Sequence, residues 1–260
     1  MEQNKKKMET IQAVDRALLI LETISAKGSM GLNDLYKVLK INKASLLRIA
    51  YTLVQNGYLS QNEETGIYSL TLKPYEIGMS SIQNLDKLSL INSTLSDLHK
   101  ETGRIAQFSV EDSNQLLCLQ SIGQSVSSFS VYTNVGRRSP LYCTSAGKAL
   151  LSVHSNGEIL EKWKNFDILP LTSNTYVDVQ DLLKDISIIR QRHYALDMEE
   201  SEYNLFCIGT IIMGASNIPI GAISLSGNSM SPEEEQSLSK ILLSAAEKLS
   251  GLLGYVSSRS

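Results

Sequence analysis

The sequence predicts an α+β protein of two domains, a small helical one followed by a larger one with an antiparallel sheet. Apolar residues recur at helical spacing over the first seventy positions, where the strand-like runs form one hairpin. Over the rest of the chain, short strand-like runs, either wholly apolar or alternating between apolar and polar residues, occur between amphipathic helices. A chain of 260 residues with 42% hydrophobic residues can bury the cores that two such domains need.

Composition and charge exclude several classes of protein. No apolar stretch reaches the ~18 residues of a membrane span, and acidic residues interrupt the N-terminal segment, so we expect neither a secretory signal nor a membrane partner. Three scattered cysteines suit neither a disulfide framework nor a zinc site. We therefore expect a reduced, cytoplasmic protein with no metal and no cofactor.

Charge differs between the two parts of the chain. Residues 1–75 carry ten Lys or Arg against seven Asp or Glu, whereas residues 76–260 carry 14 against 20. Such asymmetry is typical of a small anion-binding module joined to a larger acidic one.

Two helices are predicted before residue 40. A helical stripe that ends at Gly28 defines the first, and the second spans Leu32 to Leu39. The residues expected to face inward are Val14, Ala17, Leu18, Leu21 and Ile24 in the first helix and Leu35, Val38 and Leu39 in the second.

A third helix, over residues 43–56, has two distinct faces. Asn42 can cap it, and Gly57 ends it. Its apolar stripe is Leu46, Ile49, Ala50, Leu53 and Val54, and its opposite face is Ala44, Arg48, Tyr51 and Gln55. Strand-like runs at 58–61 and 67–70 follow, with Gly66 in the turn. This order is that of a winged helix-turn-helix, whose helix after the turn enters the major groove of DNA.

DNA contacts are expected at the start of the third helix and in the hairpin. Arg48 can contact a guanine or a phosphate, Ser45 a base or a phosphate, and Lys43 a phosphate. The expected DNA-binding residues are Lys43, Ala44, Ser45, Leu47, Arg48, Tyr51 and Thr65. The alternative is a three-helix bundle that packs its hairpin against protein and leaves Arg48 solvated. That alternative is favoured by the apolar Ala44 and Leu47 and by the acidic Glu63 and Glu64.

A helical linker is predicted between the domains. Pro74 favours a first helical turn, and residues 75–101 indicate one or two helices. Their apolar stripe is Leu85, Leu88, Ile91, Leu95 and Leu98. We assign residues 1–9 to an N-terminal tail, 10–72 to the winged helix-turn-helix, 73–92 to the linker helix, 93–255 to the second domain and 256–260 to a C-terminal tail.

The second domain is predicted to combine strands and helices. Strands are expected at 105–111, 115–121, 128–133, 207–213 and 220–226. Helices are expected at 145–153, 157–165, 178–192 and 232–254.

Several segments imitate enzyme motifs. Ser145 and Lys148 match Ser-x-x-Lys, the nucleophile motif of penicillin-binding proteins, but the companion Ser-Asp-Asn and Lys-Thr-Gly strings do not occur. A run of four carboxylates, at Asp197, Glu199, Glu200 and Glu202, indicates a solvated loop. Cys207 lies in an apolar run, which indicates a thiol in the core. The histidines are expected to be structural or surface residues: His99, His154 and His193. We expect no catalytic residues.

Four segments, in order along the chain, resemble the IclR family of bacterial transcriptional regulators. They are residues 9–70, which contain the predicted winged helix, GRRSPLYCTSAGKALLS at 136–152, RQRHYALDMEESEYNLFC at 190–207 and IPIGAISLSGNSMS at 218–231. The resemblance implies a GAF-like effector-binding domain after the linker, and a small, often carboxylate-bearing or aromatic metabolite as effector. The residues that it assigns to effector binding are Val131, Ser139, Ser145, Ala146, Asp197, Glu199, Cys207, Ser224 and Ser226.

Chemistry supports part of this assignment. Backbone N–H groups at a helix start near Ser145 and Ala146 can bind an anion, and Ser224 and Ser226 face the same side of a strand. The sequence departs from the family pattern at His193 and Asn204, where Gly is usual, and at residues 208–211. We expect these departures to cluster around the effector pocket.

We therefore interpret the chain as a ligand-responsive transcription factor, a repressor rather than an activator. One recognition helix contacts few base pairs, so we expect a homodimer on a double-stranded operator. The family resemblance further implies that dimers can associate into a homotetramer. Two alternatives remain: a Ser-x-x-Lys acyl-transfer enzyme, and a sensory module that has lost DNA binding.

Overall fold

The computed structural model describes residues 10–83, 87–123 and 135–255. The chain divides into two compact units, Met1–Asp86 and Lys87–Ser260. The mixture of helices and antiparallel strands confirms the predicted α+β class. Among the described residues, every helix is too short or too polar to cross a bilayer.

The first unit is a helical core with a small sheet. Its elements are α1 (Gln12–Lys27), β1 (Met30–Gly31), α2 (Leu32–Leu39), α3 (Lys43–Gln55), β2 (Leu59–Gln61), β3 (Ile67–Leu70) and α4 (Lys73–Gln83). The strands form an antiparallel sheet in the order β1-β3-β2. Gly66 has a φ of +68° in the β2–β3 turn, as predicted. The buried core includes Ile20, Leu35, Leu46 and Tyr68, so the helices α1, α2 and α3 and the hairpin share it.

The predicted inward face of α1 is partly wrong. Val14 and Leu18 are 52% and 53% exposed, whereas Ile20 is fully buried and Thr23 is 8% exposed. Helix α1 carries more than one apolar stripe, and only its packing against α3 selects the stripe with Ile20 and Ile24. In α2, Leu35 is buried but Val38 is exposed, because a helix of two turns presents only a narrow face to the core.

The second unit is a six-stranded sheet between two layers of helices. Its elements are α5 (Leu88–Thr102), β4 (Ile105–Asp112), β5 (Gln115–Ile122), β6 (Arg138–Pro140), α6 (Ser145–Leu151), α7 (Asn156–Trp163), α8 (Val179–Arg192), β7 (Ala195–Met198), β8 (Phe206–Met213), β9 (Pro219–Gly227) and α9 (Pro232–Leu252). A short 3₁₀ turn, Ala215–Asn217, joins β8 to β9. The strand order is β6-β5-β4-β9-β8-β7, and all described pairs are antiparallel.

Alternation along β9 divides the two faces of this sheet. Ile223 and Leu225 join the core that α5 and α9 cover. Ala222 packs in a second core with residues of α6, α7 and α8. Ser224 and Ser226, which are also buried, share the α6 side of the strand with Ala222. The polar groups of β9 are therefore held inside the protein, beneath α6.

Three short strands were not predicted. They have two to four residues, and β6 and β7 lie at the edges of their sheet. Segments this short carry too little alternation to be recognised without their partner strand. The predicted strand at 128–133 and the predicted core residue Leu85 lie outside the described residues.

Candidate functional site

The N-terminal turn of α3 presents a polar and partly basic surface. The Asn42 side chain accepts hydrogen bonds from the N–H groups of Ala44 (2.9 Å) and Ser45 (3.4 Å), so the predicted cap is confirmed. Leu47, Arg48 and Tyr51 are exposed on the next turns. A buried stripe on the other side holds α3 against its unit, which leaves this face free to contact DNA.

Side chains from α1 and α2 organise the same surface. Arg16 Nη1 donates to Ser45 Oγ at 3.3 Å, and Lys43 Nζ donates to Asn33 Oδ1 at 3.1 Å. The Lys43 ammonium also lies 5.2 Å from the ring centroid of Tyr36. Sequence reasoning missed Arg16, Asn33 and Tyr36, because their relation to α3 depends on how the helices pack.

Thr65 lies in the turn of the hairpin. Its N–H donates to Asn62 Oδ1 at 2.8 Å, and its hydroxyl accepts from Ile67 N at 3.4 Å. The exposed carboxylates of Glu63 and Glu64 precede it. The tip of the hairpin is thus a structured turn with acidic neighbours.

The second unit contains a polar cavity between its sheet and the start of α6. The lining residues are Gln107, Ser109, Leu116, Cys118, Ser139, Thr144, Ser145, Ala146, Asp197, Ser201, Leu205, Cys207, Ser224 and Ser226. The free volume is about 30 Å³, which holds one or two water molecules. Hydroxyl groups dominate, and within this described lining there is no Lys, Arg or His.

Seven of the nine residues assigned to effector binding lie together in this cavity. They are Ser139, Ser145, Ala146, Asp197, Cys207, Ser224 and Ser226. Glu199 is not among the lining residues: its Oε1 accepts from Asn204 N at 2.7 Å, which holds the turn before β8. Val131 lies outside the described residues. Gln107, Ser109 and Ser201 also line the cavity, and the alternating polar residues of β4 were the available signal for the first two.

Strand register brings the polar residues side by side. Asp197 on β7 is opposite Cys207 on β8, and Cys207 is opposite Ser226 on β9. Cys207 Sγ donates to Ser226 Oγ at 3.2 Å. Burial raises the pKa of the Cys207 thiol well above its usual range, so it is protonated and a poor nucleophile.

Asp197 is 1% exposed and fully engaged within the protein. Its carboxylate accepts from Glu200 N at 2.8 Å, from Ser201 N at 3.3 Å and from the Ser201 hydroxyl. Burial raises the pKa of Asp197 to about 6, although these hydrogen bonds favour the charged form. The expectation of a solvated loop is therefore wrong for Asp197 and Glu200, because both side chains are buried.

The start of α6 approaches the sheet closely. Thr144 caps the helix by accepting from Gly147 N at 3.3 Å, while N–H groups in a first helical turn make no bonds within the helix. A Cβ on Gly209 of β8 would lie 2.8 Å from Ala146 N. Gly209 thus allows the backbone of Ser145 and Ala146 to reach the cavity.

The departures from the family pattern at His193 and Asn204 have a backbone explanation. Both residues have positive φ, +64° and +58°, in the left-handed region that Gly adopts most easily and Asn and His tolerate. Both are exposed, and neither lines the cavity. The expected clustering around the pocket is therefore wrong for these two residues.

The acyl-transfer alternative fails at Lys148. Lys148 Nζ donates to Asp185 Oδ2 at 2.7 Å and to Glu200 Oε1 at 2.6 Å. Burial lowers the pKa of Lys148, but the two carboxylates outweigh burial and raise it overall. A charged, ion-paired ammonium cannot accept a proton from Ser145, so the motif lacks its base.

A wider groove lies between α5 and α9. Its free volume is about 380 Å³, and it lies among Leu90, Leu98, Ile241, Leu249 and Leu252. Asp97, Glu101 and Lys248 also line it. The smaller cavity holds seven of the nine residues that the family resemblance assigns to effector binding and the groove holds none of them, so the cavity is the better candidate for a specific small-molecule site.

A winged helix with an exposed recognition helix, together with a unit that encloses a polar cavity, defines a DNA-binding regulator with a sensory domain. Two family models match the chain: IclR helix-turn-helix domain over residues 13–63, and Bacterial transcriptional regulator IclR C-terminal over residues 79–251. The chain belongs to the IclR family. It is a helix-turn-helix transcriptional regulator and not an enzyme, as the sequence indicated.

Relatives and solved structures are similar to this chain over nearly its whole length. The transcriptional regulator KdgR of Escherichia coli is 27% identical over 252 residues, 96% of this chain and 95% of that protein. The transcriptional repressor AllR of Escherichia coli is 26% identical over 246 residues, 94% of this chain and 90% of that protein. An IclR homologue from Microbacterium hydrocarbonoxydans, solved in complex with 4-hydroxybenzoate, has a TM-score of 0.80 at 18% identity and covers 93% of this chain and 99% of that one. This last similarity shows the fold alone.

Proposed function

We propose that this regulator is a repressor that binds its operator as a dimer through α3 and the hairpin. The residues expected at the DNA are Lys43, Ala44, Ser45, Leu47, Arg48, Tyr51 and Thr65. The observation that supports this proposal is the exposed face of α3, with Lys43 and Ser45 held in place by side chains of α2 and α1. The name of AllR, a repressor, supports the direction of regulation.

The polar cavity of the second unit is the proposed effector site. A small carboxylate-bearing metabolite fits its chemistry, because the N–H groups at the start of α6 and the hydroxyls of Ser224 and Ser226 can donate to an anion. The bound 4-hydroxybenzoate of the Microbacterium homologue is such a carboxylate. The cavity admits the centres of water-sized molecules over only about 30 Å³, so we expect the lining to move apart when a molecule of this size binds. Movement of this kind would let ligand affinity differ between two arrangements of the protein.

The first test is to identify the operator. Purified protein is incubated with sheared DNA from its source organism, and bound fragments are sequenced. We expect enrichment of a palindromic site beside a gene cluster whose products narrow the choice of metabolite. No enrichment at low salt, with or without candidate metabolites, would mean that the winged helix does not bind DNA and would support the sensory-module alternative.

The effector site is tested with Ser226→Ala. This change removes a cavity hydroxyl, so we expect a weaker calorimetric response to 4-hydroxybenzoate and to a panel of small hydroxy acids, with operator affinity unchanged. Ser239→Ala is the matched control, because Ser239 is buried on α9 and its hydroxyl donates to Gln236 O. Identical thermograms for the Ser226 variant and the unmodified protein would exclude the cavity as the site.

A further inference from the structure

Lys148 has no role in the proposed contacts with an effector, yet it is one of the largest fully buried side chains among the described residues. It lies on α6, one turn after Ser145 and Ala146. Its ammonium group contacts two carboxylates, Asp185 on α8 and Glu200 in the loop between β7 and β8. We call residues 199–205, the connection from β7 to β8, the acidic loop.

The contact with Glu200 is strong and bidentate. Lys148 Nζ lies 2.6 Å and 2.7 Å from the two carboxylate oxygens of Glu200, and 2.7 Å from Asp185 Oδ2. The ring centroid of Tyr176 is 5.0 Å from the same nitrogen. Charge-assisted hydrogen bonds of this length, shielded from water, are among the strongest non-covalent contacts in a protein. Lys148 therefore restrains the position of Glu200 relative to α6.

Glu200 does not itself line the cavity, but it is bonded to a residue that does. Its N–H donates to Asp197 Oδ1, and the following residue, Ser201, donates to the same carboxylate. Asp197 and Ser201 both line the cavity, as do Ser145 and Ala146 on the same helix as Lys148. One buried side chain thus links two elements that contribute residues to the cavity lining, the start of α6 and the acidic loop.

The other side of the acidic loop is held differently. The hydroxyls of Thr172 and Thr175 donate to the carbonyls of Glu199 and Glu200. These bonds do not involve α6, whereas the bonds of Lys148 join the acidic loop to that helix.

We propose that Lys148 is a positioning residue that sets the width of the cavity by tying the acidic loop to α6. This inference rests on the proposed effector site, since it concerns how that site opens. Any molecule that pushes the acidic loop away from α6 must stretch the contacts of Lys148. Because Lys148 also binds Asp185, such a movement is transmitted to α8.

The test is the rate at which Cys207 reacts with methyl methanethiosulfonate, a small thiol reagent, mapped by mass spectrometry in the full-length protein. Cys207 is buried in the cavity and lies opposite Asp197 in the sheet. Lys148→Met keeps the length of the side chain and removes its charge. We expect it to raise the labelling rate of Cys207 by about tenfold or more, while amide exchange in β4 and β9 stays unchanged, because opening is local.

Two further variants separate positioning from stability. Lys162→Met is the matched control, because it removes a partly buried lysine that likewise pairs with a carboxylate, and Lys162 and Glu111 both lie outside the cavity lining. Lys148→Met combined with Glu200→Gln removes the charges of these two residues and leaves Asp185 beside Arg192, 3.9 Å away. We expect this double variant to recover part of the melting temperature that the single variant loses, and still to label rapidly at Cys207. This double variant carries the test if the single variant does not fold.

Slow labelling of Cys207 in a folded Lys148 variant would overturn the proposal. So would labelling that rises only together with amide exchange in β4 and β9, since this pattern indicates global unfolding. The experiment requires no effector. A cavity that opens as expected but binds no carboxylate would therefore refute the proposed effector class and leave the role of Lys148 intact.

Discussion

Arg48 and Asp197 belong to the two proposed binding sites, and they differ in burial and in hydrogen bonding. Arg48 is exposed on α3 in a part of the chain with excess positive charge, so it can meet a phosphate or a base edge without first losing a partner. Asp197 is buried and already accepts three hydrogen bonds from Glu200 and Ser201. A ligand that used Asp197 would have to replace some of those bonds, so Asp197 is better suited to shaping the cavity wall than to binding an anion.

Arg48→Ala should weaken operator binding. If Arg48 contacts a guanine, we expect a loss of about 1–3 kcal/mol and relaxed specificity at that base. Operator affinity is measured by titration of labelled DNA at fixed salt. Lys100→Ala, which removes an exposed positive charge from the second unit, should leave affinity unchanged. Equal affinity of the Arg48 variant and the unmodified protein would remove Arg48 from the DNA interface.

Stability of the second unit should depend on the protonation of Asp197. Its pKa is raised by burial from 3.8 to about 6, so the folded state binds the proton more tightly than the unfolded state. The free energy of unfolding therefore increases as the pH falls from 6 towards 4, because Asp197 takes up a proton in the folded state. Above pH 6 the carboxylate is charged, and burying that charge lowers the free energy of unfolding.

Asp197→Asn tests this dependence. The unmodified protein should gain about 1.4 kcal/mol of stability between pH 7.5 and pH 5 relative to the variant, because pH 5 lies one unit below the raised pKa. Thermal unfolding at the two pH values provides the comparison, with Asp97→Asn on the exposed side of α5 as control. Parallel pH profiles for the Asp197 variant and the unmodified protein would show that this carboxyl titrates normally.

Among the elements, α3 and α6 are positioned by different means. A side-chain cap at Asn42 starts α3, and a buried stripe attaches it to the core. Helix α6 has seven residues, all buried, and it depends on close packing against β8 and β9. The position of α6 is therefore sensitive to the size of the residue at 209.

Gly209→Ala should displace the start of α6. The added Cβ would lie 2.8 Å from Ala146 N and 2.9 Å from Ser145 C, both backbone atoms that cannot rotate away. We expect a loss of about 1–3 kcal/mol in the free energy of unfolding, measured by urea denaturation. Gly251→Ala on α9 has open space around the new Cβ and should instead be neutral or slightly stabilising. Unchanged stability of the Gly209 variant would mean that α6 can shift at no cost.

Prediction from sequence succeeded for the long elements and for the hairpin of β2 and β3, where Gly66 marked the turn, and it failed for three other short strands. The helices of the second unit and the strands β4, β5, β8 and β9 all match predicted segments, because each has seven or more residues of regular periodicity. The strands β1, β6 and β7 have too few residues to show a period, and pairing with a neighbour defines them. The alternation along β4 places Gln107 and Ser109 on one side of the strand, but their burial in the cavity became evident only once β4 was placed beside β5 and β9.

At the scale of the whole molecule, the proposed dimer makes a prediction about operator geometry. Two α3 helices related by a two-fold axis should read half-sites about one helical turn apart, or a multiple of it. Inserting about five base pairs between the half-sites turns them to opposite faces of the duplex and should abolish tight binding, whereas about ten should restore part of it. Binding that ignores spacing would indicate independent monomers.

The sequence alone determined the local chemistry of this protein: where helices and long strands run, where α3 is capped, and that Ser224 and Ser226 share one side of a strand. These properties depend on residues within a few positions of each other, and the backbone periods of 3.6 and 2 express them directly. Tertiary structure alone decided which apolar stripe of α1 is buried, which polar side chains converge on the cavity, and that Lys148 pairs with Asp185 and Glu200. Residues 37 and 52 positions apart meet in that cluster, and only the packing of helices on the sheet brings them together.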